Sequence, residues 1–144
     1  MNEEELLNAW LKMSLFVRGN RILDNISLNE MSVFNVIYDA SKNGIDATFS
    51  YICKRTSMLK SQLNRVLGEM QKKNYIIAKK STLDARSVIY IIDKNNESVY
   101  LEEHARVIRL VEKVVDKLGE DNALVFTKLL NDTTDLLLEA QKGE

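Results

Sequence analysis

The 144-residue sequence predicts a mostly α-helical fold carrying one small β-wing. The expected architecture is a winged helix-turn-helix flanked by N- and C-terminal dimerisation helices. Three observations carry this reading. Proline is absent and glycine occurs five times, so little in the chain breaks helices. Two helix-forming runs, 48–55 and 59–73, are separated by only Thr56, Ser57 and Met58. Two runs rich in β-branched and aromatic residues follow, 75–80 and 87–92, joined by a loop containing Asp84, Ala85 and Arg86.

The elements follow in order. From Glu3 to about Arg18, Leu6, Leu7, Trp10, Leu11, Leu15 and Phe16 recur at helical spacing. This stripe is wide for a lone surface helix and implies a partner element or subunit. Gly19 and Asn20 then signal a turn. Ser27 and Glu30 form a capping box at the start of a helix holding Met31, Phe34, Val36, Ile37 and Tyr38. Asn43 and Gly44 end it, and either Asp46 or Thr48 caps the next helix. In the second helix of the pair, Leu59, Leu63, Val66, Leu67 and Met70 form the expected buried stripe. Ser57 is its expected N-cap, and Asn74 its left-handed C-terminal residue. The segment 81–86 projects between the strands as the wing. Asp93 is expected to cap a long helix reaching about Leu118, striped by Val107, Ile108, Val111, Val114 and Val115. Gly119 stops that helix, and Asp121 starts a last one bearing Leu124, Leu130, Leu137 and Leu138.

These elements group as an N-terminal dimerisation helix and linker (1–26), a winged helix-turn-helix domain (27–92) and C-terminal dimerisation helices (93–144). The end helices offer more apolar surface than the small winged domain covers, so a symmetric homodimer is expected.

Charge is distributed unevenly. The whole chain carries −1, yet the stretch from Lys54 to Arg86 carries +7, with nine basic residues against Glu69 and Asp84. A contiguous basic segment in a nearly neutral protein is the footprint of a polyanionic partner. The acidic start Met1-Asn2-Glu3-Glu4-Glu5 is unlike a secretory signal, and no apolar run approaches membrane-spanning length. One cysteine forms no internal disulfide, in keeping with a reducing compartment. A cytoplasmic location is expected.

Residues in and around the helix pair resemble the MarR family of bacterial transcriptional regulators. The likeness runs from about Ser27 into the last helix and needs no gap between Thr48 and Ile76. Ile52 stands at a family leucine, Cys53 at a small alanine. Lys60-Ser61 and Arg65 match the family's run in its recognition helix, and residues 72–76 resemble its Lys-Lys-Gly-Leu-Ile ending. The wing motif Asp-x-Arg-Ser is met by Asp84-Ala85-Arg86-Ser87. The likeness to staphylococcal SarA-type relatives is less specific and rests mainly on the wing. Asn74 replaces a glycine, Thr56 a leucine, and Gly68 sits inside the recognition helix at a cost of about 1 kcal/mol relative to alanine. Gln62 and Asn64 depart from the common residues, so the operator sequence does not transfer.

The resemblance implies DNA binding. Ser61, Gln62 and Arg65 would meet base edges in the major groove, with Asn64 on the same helix. Lys54, Arg55, Lys60, Lys72, Lys79 and Lys80 would contact phosphates. Arg86 would enter the minor groove, its guanidinium held by a bidentate pair with Asp84. A homodimer would meet a palindromic double-stranded operator with half-sites about 34 Å apart. The family pattern also implies a repressor released by a small aromatic effector, with Trp10, Met13, Phe16, Phe34 and Tyr38 as lining candidates; core packing is their other reading.

Two rival functions fit the same residues, a winged-helix module for protein partners and a redox-sensing regulator acting through Cys53. No cofactor or metal is expected, since His104 beside Glu102 and Glu103 has no cysteine partner nearby. Widely spaced glycines exclude a phosphate loop, and one Cys far in sequence from one His signals no nucleophile–base pair, so an enzyme is not expected.

Overall fold

A computed structural model describes residues 1–19 and 22–142. Asn20 of the expected first turn lies outside them. Eight principal elements follow in order: α1 (Glu3–Arg18), α2 (Leu28–Lys42), α3 (Phe49–Thr56), α4 (Lys60–Lys72), β1 (Ile76–Lys80), β2 (Val88–Ile92), α5 (Glu97–Leu118) and α6 (Glu120–Lys142). The chain divides into two compact units, Met1–His104 and Ala105–Glu144.

The core of the first unit is built on α2. Its entry is the expected capping box: the Glu30 amide donates to Ser27 Oγ (3.1 Å), and the Ser27 amide donates to Glu30 Oε1 (3.0 Å). Val33, Phe34, Ile37 and Ala40 are buried at helical spacing, and α2 packs on α3, which buries Ile52, and on α4, which buries Leu63, Val66, Leu67 and Met70. Phe34 also lies 5.3 Å, centroid to centroid, from both Tyr75 and Tyr100, tying α2 to the start of the wing and to α5. The segment before α2 is held as well. Leu23 and Ile26 are buried, and the amides of Asp24 and Asn25 donate to the buried Glu103 carboxylate of α5.

Three helix-end expectations need correction. Ser57 does not cap α4; it closes α3 in the left-handed region (φ 61°), its amide donating to the Cys53 carbonyl. The N-cap of α4 is Leu59, with no side-chain cap. Leu59 accordingly leaves the buried stripe and stands 74% exposed, because it precedes the helix instead of riding its inner face. Asp93 caps a short 3-10 turn, Lys94–Asn96, which then feeds α5. Elsewhere the local chemistry acts as read: Thr48 caps α3, Asn74 takes φ 62°, and Gly44 and Gly119 turn the chain at φ 66° and 87°.

Strands β1 and β2 pair antiparallel, with Ile76 opposite Ile92 and Lys80 opposite Val88. A third edge was not anticipated. Thr48 bridges Ile89, and the Tyr90 amide donates to the Ala47 carbonyl (2.9 Å), so the segment entering α3 is laced to the wing.

Helix α1 opens with its own capping box, Asn2 with Glu5, and buries no residue. The second unit comprises the distal part of α5 together with α6, and α6 also buries none. Among the described residues no helix is long and apolar enough to cross a membrane.

Candidate nucleic-acid interface

The inward stripe of α4 dictates what its other face presents. With Leu63, Val66, Leu67 and Met70 buried, a 3.6-residue period turns Ser61, Asn64, Arg65, Gly68 and Lys72 outward. Ser61, Asn64, Arg65 and Lys72 are exposed, as are Lys60 of the first turn and Lys54 and Arg55 of α3. Gln62 is half-buried, since its position borders Val66 on the inner face. Gly68 sits mid-helix in the outward arc, and a Cβ there would meet no atom within 4 Å. No packing within the chain therefore requires this glycine.

Tertiary structure changes the charge pattern. Four of the nine basic residues stand beside carboxylates. Arg65 lies 3.7 Å from Glu69 and Arg86 3.4 Å from Asp84, both within the basic segment. Arg55 lies 3.9 Å from Asp39, and Lys73 lies 2.8 Å from Glu30; both acids come from α2. The Glu30 side chain is only 4% exposed, and its hydrogen bond holds the Lys73 amine above the usual lysine range. Lys73, one of the nine basic residues of the segment, is thus tied to the fold. The Arg55 pair is exposed on both sides and long, so it leaves Arg55 available.

The pleat separates two residues that sequence grouped together. Lys79 and Lys80 are adjacent in β1, and successive strand side chains point to opposite faces, so the two exposed lysines serve different sides of the wing.

At the wing tip, the bidentate Asp84–Arg86 pair is replaced by another arrangement. Asp84 Oδ1 accepts from the Arg86 amide (3.0 Å) and from Arg86 Nε (3.4 Å). With the residues two apart in a tight turn, the carboxylate is engaged by the backbone first. Arg86 remains 93% exposed. Beneath the tip, Ser81 is buried, and its hydroxyl donates to Asp46 Oδ2 in the α2–α3 connection. Sequence weighed Asp46 only as a helix cap. No local pattern joins two residues 35 positions apart.

The remaining candidates are dispersed. Met13 and Phe16 line one shallow hollow along α1, and Tyr38 lines another with Lys42, Ile91 and Glu97. Phe34 is fully buried and lines neither. Trp10 is exposed on α1. Cys53 is half-buried, its thiol donating to the Met58 carbonyl (3.1 Å) across the helix turn. His104 stacks near Tyr100, and among the described residues no cluster of three metal-ligating side chains occurs.

No protein-family profile and no curated protein matches the chain. Solved structures do. The PcaV transcriptional regulator from Streptomyces coelicolor, in complex with its natural ligand, superposes with a TM-score of 0.74 at 14% identity, covering 93% of each chain. FabT of Streptococcus pneumoniae, in complex with DNA, gives 0.61 at 24% identity over 94% of this chain and 92% of that one. A MarR-family transcription regulator gives 0.68 at 14% identity over 99% and 89%. This chain has the MarR-type winged-helix fold. Within the MarR-type frame, α3 and α4 are the helix-turn-helix, and β1 and β2 are the wing.

Proposed function

We propose that the chain is a sequence-specific DNA-binding transcriptional regulator of the MarR family. The observation that carries this reading is the outward face of α4, where Ser61, Asn64, Arg65 and Lys72 stand exposed beside a wing tipped by an exposed Arg86. Ser61 and Arg65, with Gln62 at the helix margin and Asn64 on the outward arc, are the proposed base-reading residues. Lys54, Arg55, Lys60, Lys72, Lys79 and Lys80 are the proposed phosphate contacts, with Arg86 reaching the minor groove. The neighbour in complex with DNA supports this reading by likeness of fold.

The acting species is a homodimer on a palindromic operator. Its support is the apolar surface that one copy leaves open: Leu6, Trp10 and Leu15 on α1, and Leu124, Leu130 and Leu136 on α6, are each at least 45% exposed. The proposed regulation is repression relieved by a small aromatic effector; the neighbour that holds its natural ligand supports only that a fold of this type binds a ligand. The proposed effector contacts are Trp10, Met13, Phe16 and Tyr38; Phe34, expected with them, is fully buried and belongs to the core. Such relief works only if the effector binds better to a dimer whose α4 helices no longer match the half-sites. The proposed site of action is the cytoplasm.

Selection of bound sequences from random duplex DNA, followed by affinity titration across salt, tests the reading. Enrichment of a two-fold palindrome is expected, with log affinity falling linearly in log salt by about 0.9 per phosphate neutralised. Failure to bind any duplex in dilute buffer overturns it.

A further inference from the structure

Besides the edge that pairs Ala47 and Thr48 with β2, a polar side-chain link ties the base of the wing to the body of the domain. Ser81 lies at the base of the wing yet is only 5% exposed. Its hydroxyl donates to Asp46 Oδ2, and Ser81 Oγ itself accepts from the amides of Leu83 (3.0 Å) and Asp84 (3.2 Å). Asp84 in turn accepts from the amide and Nε of Arg86 through Oδ1, and its carbonyl accepts from the Ser87 amide (2.9 Å). The Ser81 amide closes the loop onto the Ser87 carbonyl (2.9 Å). Asp46 stands one residue before the Ala47–Thr48 edge that pairs with β2, and Thr48 caps α3. The start of the helix pair and the direction of the wing-tip arginine are therefore joined through two side chains.

We propose that Asp46 and Ser81 are positioning residues. They touch no nucleic acid, and they hold the wing tip so that Arg86 is presented at a set angle to the reading face of α4. The physical reason is entropic. An exposed six-residue loop bearing a long side chain samples many directions, and each direction lost on binding weakens the complex. A hydroxyl that donates to a carboxylate while accepting from two amides removes that freedom before binding. The charge of Asp46 also makes the Ser81 hydroxyl a committed donor, which leaves its lone pairs for the Leu83 and Asp84 amides.

This inference rests on the DNA-binding reading, so its test has two arms. The first uses the free protein. Asp46→Ala and Ser81→Ala are expected to speed amide hydrogen exchange at Leu83 and Asp84 about tenfold or more. Exchange in α2 should be unchanged, and Asp46→Asn, which keeps an acceptor but loses the charge, should fall between the parent and Asp46→Ala. Unchanged exchange at Leu83 and Asp84 overturns the anchor whatever the protein binds. The second arm uses duplex selected by the parent protein. Asp46→Ala is expected to weaken binding about tenfold, the worth of one charge-assisted hydrogen bond, and to flatten the preference for A·T-rich flanks. In an Arg86→Ala background the same substitution should cost almost nothing further, because there is no guanidinium left to aim. An equal loss in both backgrounds overturns the positioning role, since a general structural defect would add to the arginine loss. A parent chain that binds no duplex at low salt overturns the DNA reading and this arm with it, while the exchange arm still decides whether the anchor exists.

Discussion

The winged region and the end helices solve the same problem differently. In α2 to α4 apolar residues at helical spacing find partners within one chain: Val33, Phe34, Ile37, Ile52, Leu63 and Met70 are all fully buried. Helices α1 and α6 show the same spacing and comparable apolar content but bury nothing. Periodicity declares that a face is meant for burial. It does not declare what covers it. In the winged region α3, α4 and β2 pack on α2, whereas α1 and α6 keep large apolar side chains such as Leu15 (71%) and Leu136 (66%) open.

Substitutions can break or sharpen that contrast. The largest effect is expected at Phe34, whose fully buried ring contacts Tyr75 and Tyr100. Phe34→Ala should cost about 3–5 kcal/mol in urea unfolding. A loss under about 1 kcal/mol would mean that the core of the winged region is no better packed than the end helices.

Next comes Tyr100, buried with its hydroxyl donating to Asn35 Oδ1 (3.0 Å). Burial raises its pKa to about 12, with Tyr38 and Asp39 adding in the same direction. The folded state thus keeps a proton that the unfolded chain releases near the ordinary tyrosine value of 10.0. The contribution is fully present below that value and is lost as pH rises through the folded pKa. The expected fall is about 2–3 kcal/mol across this window. Tyr100→Phe should remove that slope, as read by unfolding midpoints from pH 9.5 to about 12. A slope that survives the substitution would place the titrating group elsewhere.

On α6, Leu130→Ser should leave the midpoint of the winged region in place and weaken self-association about tenfold or more. Sedimentation over a dilution series checks this. Identical association of both proteins would make the open face of α6 a plain solvated surface.

The smallest effect belongs to Gly68. With open space around its Cβ position, Gly68→Ala should stabilise the fold by up to about 1 kcal/mol. A destabilisation would show that something packs on this face.

Local chemistry was legible wherever neighbours in sequence are neighbours in space. The Ser27–Glu30 box, the Thr48 cap, the left-handed Asn74, the inward stripe of α4 and the antiparallel hairpin all depend on residues within a few positions of each other. The misreadings lie at junctions. Ser57 served the helix before it instead of the one after, and that left Leu59 outside the stripe. A tight turn offers one residue to two helix ends, and sequence alone does not say which takes it.

By itself the sequence determined the helix-turn-helix, the wing and the residues that must face outward on α4, because helical and strand periods fix side-chain direction once the buried positions are known. Only the tertiary structure decided that Lys73 is tied to the fold, since Glu30 comes from another helix. It alone joined Asp46 to Ser81 and Thr48 to Ile89. Electrostatic and hydrogen-bonding partners act through distance in space, and a folded chain sets that distance independently of separation along its length.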